Sequence, residues 1–161
     1  MTIAIGCDEA AYELKEQIRG MLEAEGREVE DFGTFEARPV LYPDIAFEVA
    51  NSIVAGRNDR GILLCGTGIG VAISANKVPG IRAAQAHDTY SAEKARSSND
   101  AQIVTIGARV VGPELAKSIV RAFLNTEFGG GKSTEKVEAI KAFERGEHKA
   151  NSGASARADA G

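Results

Sequence analysis

The sequence predicts an α/β protein whose single parallel sheet is covered by helices on both faces. Short apolar runs alternate with longer amphipathic stretches along most of the 161 residues. One run, Gly61-Ile62-Leu63-Leu64, is apolar throughout, which is the pattern of a strand buried on both sides. Each run is followed by a turn and then a helical period, and repeated strand–helix units pair their strands in parallel.

The elements follow in order. Thr2–Gly6 reads as a short buried strand. Asp8–Glu25 reads as a helix with Ala11, Leu14, Ile18, Met21 and Leu22 on one face, stopped at Gly26. Glu28–Phe32 is a second strand, and Asp44–Ala55 a helix with Ile45, Val49 and Ile53 at helical spacing. Arg60–Cys65 is a third strand, after which Gly70–Asn76 begins a helix. Gly80–Ala84 and Ala101–Gly107 are two further strands, with Ser91–Arg96 helical between them. Pro113–Leu124 is a helix whose proline suits the first turn, and Ser133–Gly146 is the last. Five strands result, in an order that periodicity leaves open. One domain spans residues 1–147. The tail, 148–161, is Ala, Ser, Gly and Asn with scattered charges, and is expected to be disordered.

Composition narrows the function. Apolar residues make up 43% and charged residues 26%, which is ordinary for a globular domain. A net charge of −4 offers no global attraction to nucleic acid or an acidic membrane. No apolar run approaches the roughly 18 residues of a membrane span. The N-terminus shows neither a basic region nor a cleavage signal, so the cytoplasm is the expected compartment. There a disulfide between Cys7 and Cys65 is not expected. The two cysteines and two histidines stand at no ligand spacing, so neither metal nor cofactor is expected.

In open α/β sheets ligands bind beyond the carboxyl ends of the strands. The residues there are Gly6-Cys7-Asp8-Glu9, Cys65-Gly66-Thr67-Gly68-Ile69-Gly70, His87-Asp88-Thr89 and Gly107-Ala108-Arg109. The second is the most informative. Its alternate glycines let backbone approach a ligand, and the helix that follows presents free N–H groups to phosphate or an oxyanion. A thiol placed there, Cys65, is a candidate reactive group. The alternative is a tight turn with an inert cysteine. The glycine spacing is one residue short of a dinucleotide fingerprint, and no Lys-Ser/Thr follows as in a phosphate-binding P-loop. Asp8 has two readings, an N-cap or an acceptor for sugar hydroxyls. Cys7 reads as a small buried hydrophobe.

Six segments occur together in one order: Gly6-Cys7-Asp8, Tyr42-Pro43-Asp44, Cys65–Gly70, Ser74-Ala75-Asn76-Lys77, Pro79-Gly80-Ile81-Arg82-Ala83 and Gly107-Ala108-Arg109-Val110-Val111-Gly112. In this the chain resembles the ribose-5-phosphate isomerase B family, which includes galactose-6-phosphate isomerase subunits, over about residues 2–145. The resemblance implies a Rossmann-like three-layer α/β/α sandwich and a homodimer, sometimes a dimer of dimers, with an active site shared between subunits. It implies aldose–ketose isomerisation of a small phosphorylated sugar. Cys65 matches the base that shuttles a proton between C1 and C2, and Thr67 a residue assisting at the reacting end. Gly66, Gly68 and Gly70 match the loop that holds the enediolate oxygen. Asp8 and Asn99 match residues on sugar hydroxyls, Tyr42 lies at the rim, and Arg109 matches an arginine near the phosphate.

The chain departs from the family pattern at four places. Glu9 stands where ribose-active members carry histidine. Arg96-Ser97-Ser98-Asn99-Asp100 replaces Arg-x-His-Asn-Asp, so Ser98 occupies the place of the ring-opening histidine. Gly131-Lys132-Ser133 replaces Gly-Arg-His, and Lys136 replaces a later arginine. Lys132 and Lys136 are spaced i, i+4 and align with phosphate-binding positions. Lysine keeps the charge but loses the bidentate fork. The plainer reading of both is a solvated charged face. His87 is the remaining histidine at a strand end, either a replacement for the lost acid–base group or a surface residue capping a helix. A substrate with no ring to open needs no replacement. The leading expectation is therefore a ribose 5-phosphate isomerase, with an erythrulose 4-phosphate isomerase as the alternative. A non-catalytic sugar-phosphate-binding regulator is a reading of another class, against which the retained Cys65 and Thr67 argue. A flavodoxin-like nucleotide binder lacks aromatic stacking residues near these loops.

Overall fold

The computed structural model describes residues 1–149; from residue 150 onward the expected disordered tail lies outside the described residues. The elements are β1 Thr2–Cys7, a single 3₁₀ turn Glu9–Ala11, α1 Tyr12–Ala24, β2 Glu28–Asp31, α2 Tyr42–Val54, β3 Arg60–Cys65, α3 Ile69–Ala75, β4 Ala83–Gln85, α4 Thr89–Ser97, β5 Ile103–Gly107, α5 Pro113–Leu124 and α6 Lys132–Glu144. Every strand pair is parallel, and the order is β2-β1-β3-β5-β4.

Side chains alternate across the sheet and build two cores. Ile3, Ile5, Ile62, Leu64, Val104 and Ile106 face Leu14, Ile18 and Leu22 of α1 and Ile119, Val120 and Phe123 of α5. Ala4, Leu63, Cys65 and Ile103 face Ala46, Val49 and Ala50 of α2 and Val71 and Ala75 of α3. This is the three-layer α/β/α sandwich expected. Each fully buried Leu or Ile contributes roughly 1.5–3 kcal/mol of transfer free energy. The α2 layer comes close because β3 carries Gly61, where an added Cβ would lie 2.9 Å from Ile103 and 3.0 Å from Ile53.

Most element limits differ from the sequence reading by a few residues, among them the starts of two strands. β4 begins at Ala83, because Gly80 turns the chain at φ +89° and the Arg82 N–H is taken by the Gln102 side chain at 2.8 Å. β5 begins at Ile103, because Asp100 and Ala101 are spent on closing α4, through N–H bonds to Arg96 and Ala95 carbonyls.

Topology places the site. β1 runs into α1 on one face of the sheet and β3 into α3 on the other. The neighbouring carboxyl ends of β1 and β3 therefore flank a crevice, the switch point at which open α/β sheets receive ligands.

Candidate active site

β3 ends at Cys65, whose register partner is Gly107 at the end of β5. Its side chain is 5% exposed. Gly68 then takes φ +74°, a left-handed conformation that suits glycine, and directs its N–H back onto Cys65 Sγ at 3.1 Å. The sulfur thus accepts a backbone hydrogen bond at the start of α3. Thr67 is exposed, and its Oγ1 accepts the Ile69 N–H at 3.2 Å. Two residues that did not stand out in the sequence pin this loop from below. Gln85 Nε2 donates to the Thr67 carbonyl at 2.7 Å, and Thr105 Oγ1 donates to the Gly68 carbonyl at 2.8 Å. The signal for Thr105 was a hydroxyl inside an otherwise apolar strand, fully buried here.

The remaining carboxyl-edge residues converge on this loop. Arg109 donates its N–H to the Gly66 carbonyl at 3.0 Å, and its guanidinium lies over Gly66, with Nη1 3.5 Å from where a Cβ would sit. The Tyr42 ring lies against Gly70, 2.5 Å from that residue's Cβ position. Asp8 caps the first helical turn, its Oδ1 accepting from Ala10 N–H at 3.0 Å and Ala11 N–H at 3.2 Å. Burial, and next the Glu9 carboxylate, raise the Asp8 pKa, against the pull of the Ala11, Ala10 and Gly66 N–H groups. Asp8 thus belongs both to the helix cap and to the Gly66 loop. Glu9 Oε2 accepts the Val40 N–H at 3.3 Å, tying the end of β1 to the segment ahead of α2.

His87 follows β4 and is half-buried. Its Nε2 accepts the Gly107 N–H at 2.9 Å. A backbone N–H only donates, so Nε2 carries no proton in this arrangement. The capping of α4 is done by Asp88, which accepts the Ser91 N–H at 2.6 Å. Cys7 lies on the opposite face of the sheet from Cys65, fully buried, and burial pushes its thiol pKa up to about 12.

Four sequence-predicted residues stand elsewhere. Ser98 and Asn99 follow α4 at the amino edge of the sheet, where the Asn99 carbonyl accepts from Arg82 Nε at 3.0 Å just ahead of β4. Lys132 and Lys136 are exposed on the first turns of α6, and the loop before that helix joins the same edge through the Gly129 N–H to the Ser97 carbonyl at 3.0 Å. The five residues of β5 separate the two edges by roughly 16 Å. One chain therefore holds a carboxyl-edge half, with Asp8, Glu9, Tyr42, Cys65–Gly70, His87 and Arg109, and an amino-edge half, with Ser98, Asn99, Lys132 and Lys136. Among the described residues no three His, Cys, Asp or Glu side chains are grouped to hold a metal ion.

Comparison with known proteins agrees with this frame. The family model described as Ribose/Galactose Isomerase matches residues 3–140. A ribose-5-P isomerase B of Listeria innocua is 54% identical over 90% of this chain and 98% of its own length. A D-erythrulose-4-phosphate isomerase of Pectobacterium atrosepticum is 53% identical over 91% of this chain and 97% of its own. The solved structure of Clostridium thermocellum ribose-5-phosphate isomerase B superposes with a TM-score of 0.89 at 46% identity, covering 91% of this chain and 99% of that one. With the fold, the glycine loop after β3 and a family model spanning nearly the whole described chain in accord, this protein belongs to the ribose/galactose isomerase family.

Proposed function

We propose that this protein interconverts an aldose phosphate and its ketose phosphate, ribose 5-phosphate and ribulose 5-phosphate first among them, through an enediolate, with Cys65 moving the proton. The observation that carries the reading is the loop after β3. It sets a sulfur at a strand end in the ligand crevice, accepting the Gly68 N–H of a glycine turn, with the start of α3 directly after it. Removing a proton beside a carbonyl leaves charge on oxygen. Fixed backbone donors stabilise that charge without reorganising, an effect worth a few kcal/mol. Cys65 takes the proton from one carbon and returns it to the next. Thr67 and the loop of Gly66, Gly68 and Gly70 hold the reacting oxygens, with Asp8, Tyr42 and Asn99 on the rest of the sugar. Arg109, Lys132 and Lys136 hold the phosphate.

The two halves of that set sit at opposite edges of one sheet. This supports a homodimer, or a dimer of dimers, in which each site takes its carboxyl edge from one protomer and its amino edge from the other. The working unit is residues 1–147, in the cytoplasm.

A four-carbon substrate is the second reading, and a specific observation favours it. Opening a furanose needs an acid–base group at the ring oxygen. Ser98 and Glu9 stand in the places of two family histidines, and the Nε2 of His87 accepts the Gly107 N–H. An open-chain tetrose phosphate such as erythrulose 4-phosphate needs none of them. The test is kcat/KM over ribose 5-phosphate, allose 6-phosphate, galactose 6-phosphate and erythrulose 4-phosphate, with Cys65→Ala as control. Turnover of none of them by the wild type would leave a non-catalytic sugar-phosphate binder as the reading.

A further inference from the structure

The turn that carries Ser98 and Asn99 is held by an unusual concentration of charge. Asp100 is the one non-glycine among the described residues with positive φ, at +47°. Its two carboxylate oxygens are divided between two arginines, Oδ1 accepting from Arg96 Nη1 at 3.0 Å and Oδ2 from Arg82 Nη2 at 3.2 Å. The same guanidiniums grip the backbone on either side. Arg82 donates to the Asn99 carbonyl at 3.0 Å and the Asp100 carbonyl at 2.7 Å, and Arg96 Nη1 donates to the Ala101 carbonyl at 2.7 Å. Arg96 is 2% exposed, a burial that an arginine tolerates only when paired. Its Nη2 also lies 3.8 Å from Glu127, which stands 3.4 Å from Arg60 and lies in the loop into α6. By contrast, the side chains of Ser98 and Asn99 make no hydrogen bond among the described residues.

We propose that Asp100, through Arg82 and Arg96, is a positioning residue for substrate. It presents Ser98 and Asn99 at a set height, and through Arg96 and Glu127 it sets their distance from the phosphate-binding lysines of α6. The inference rests on the function proposed above, because it needs Asn99 and Lys132 to touch the sugar phosphate. Asp100 itself touches no substrate. Its effect is on the spacing between the hydroxyl contacts and the phosphate contacts, which is the dimension in which four-, five- and six-carbon substrates differ. A free pair of side chains on a loosely held turn would read that dimension poorly. Two arginines bound to five oxygen acceptors within three consecutive residues make the turn rigid.

The test uses Asp100→Gly and Asp100→Asn in the full chain. Glycine accepts the left-handed backbone and removes only the carboxylate, so strain does not enter. Asparagine tolerates that backbone and keeps one acceptor. On the best substrate of the panel, Asp100→Gly is expected to raise KM tenfold or more with kcat within threefold, and Asp100→Asn to recover part of the loss. Loss of folded protein lowers apparent kcat and leaves KM alone, so a merely structural role would give the reverse pattern. An unchanged KM in Asp100→Gly, or a fall in kcat at constant KM, overturns the proposal. Should Asp100→Gly not fold, exposed Glu127→Gln decides. It is expected to raise both KM and the inhibition constant of inorganic phosphate at least threefold, and no change in either overturns the link to α6. A wild-type enzyme inactive on the whole panel would count against the proposed function; an active wild type with indifferent variants counts against the clamp alone.

Discussion

The two cysteines illustrate how little a residue's identity says without its place. Both are buried, yet Cys7 is enclosed between the sheet and α1, whereas Cys65 opens a glycine turn. Cys65→Ala is expected to cut turnover by roughly 10²–10⁴ while leaving the circular dichroism spectrum and melting temperature nearly unchanged. Cys7→Ala should retain turnover within a few-fold. Wild-type turnover in Cys65→Ala would refute the proton-transfer role. Asp8 separates capping from binding. Asparagine caps a helix about as well as aspartate, so Asp8→Asn should hold stability within about 0.5 kcal/mol, while Asp8→Ala loses about 1 kcal/mol. Both should raise KM if the carboxylate binds sugar hydroxyls. The pH dependence has a definite sign. Burial raises the Asp8 pKa above its ordinary value of 3.8, so within that window the folded state binds more protons than the unfolded state. Lowering pH through the window should stabilise the wild type relative to Asp8→Asn in urea titrations, and raising it should remove the advantage. For His87, glutamine offers an acceptor to Gly107 but no acid–base chemistry. Near-normal ribose 5-phosphate turnover in His87→Gln, with loss in His87→Ala, would make His87 a support for the Gly107–Arg109 turn. Loss in both on ribose 5-phosphate, with erythrulose 4-phosphate spared, would make it the ring-opening group.

At the scale of elements, legibility followed how local the determining forces were. The limits of β3 and α5 were readable to the residue. The apolar run Gly61–Cys65 lies between the polar Asn58-Asp59-Arg60 and the Gly66 turn, and Pro113 fixes a helix start. The sequence pattern starts β4 three residues early, because the pull on Gly80 and Arg82 comes from Glu144 and Gln102, distant in sequence. The Cys65–Gly70 loop was legible because its parts are contiguous. That Ser98 and Lys132 lie at the far edge was not, since it depends on strand direction and crossover. Nor was the strand order, in which β5 lies between β3 and β4. Sheet–helix packing yields its own prediction. A methyl group at Gly61 meets Ile103 and Ile53 at once, so Gly61→Ala should cost about 1–3 kcal/mol and lower Tm by roughly 2–12 °C. A neutral result would mean that α2 can lift from β3 without penalty.

At the scale of the whole molecule the proposed division of the site between protomers makes a strong prediction. Cys65→Ala lacks a carboxyl-edge group and Asn99→Ala an amino-edge group, so each alone should be inactive or nearly so. Unfolded together and refolded, random pairing would give about half mixed dimers, each with one intact site of two, hence about a quarter of wild-type activity. No recovery on mixing would place both halves of a site within one protomer. Prolonged EDTA treatment should leave kcat unchanged, and a loss restored by Zn²⁺ or Mn²⁺ would contradict the mechanism. Truncation after Glu147 should leave Tm and activity intact, since the residues beyond carry too little apolar surface to dock.

The contact between the β3 loop and the end of β5 has a consequence for how this site can change over generations. A Cβ on Gly68 would fall 2.9 Å from the Ile106 carbonyl carbon, and one on Gly107 would fall 2.7 Å from that of Thr67. Both obstacles are main chain, which no mutation elsewhere can trim. In a saturation library selected for activity, these two positions should return glycine alone, in every background. Gly70 is blocked instead by the Tyr42 ring, an obstacle that a second substitution removes. Alanine at position 70 should be lost from a library built on the wild type and reappear in one built on Tyr42→Ala. The loop thus contains two kinds of invariance, one permanent and one conditional on a neighbour, and only the second leaves lineages a route to reshape the pocket's rim.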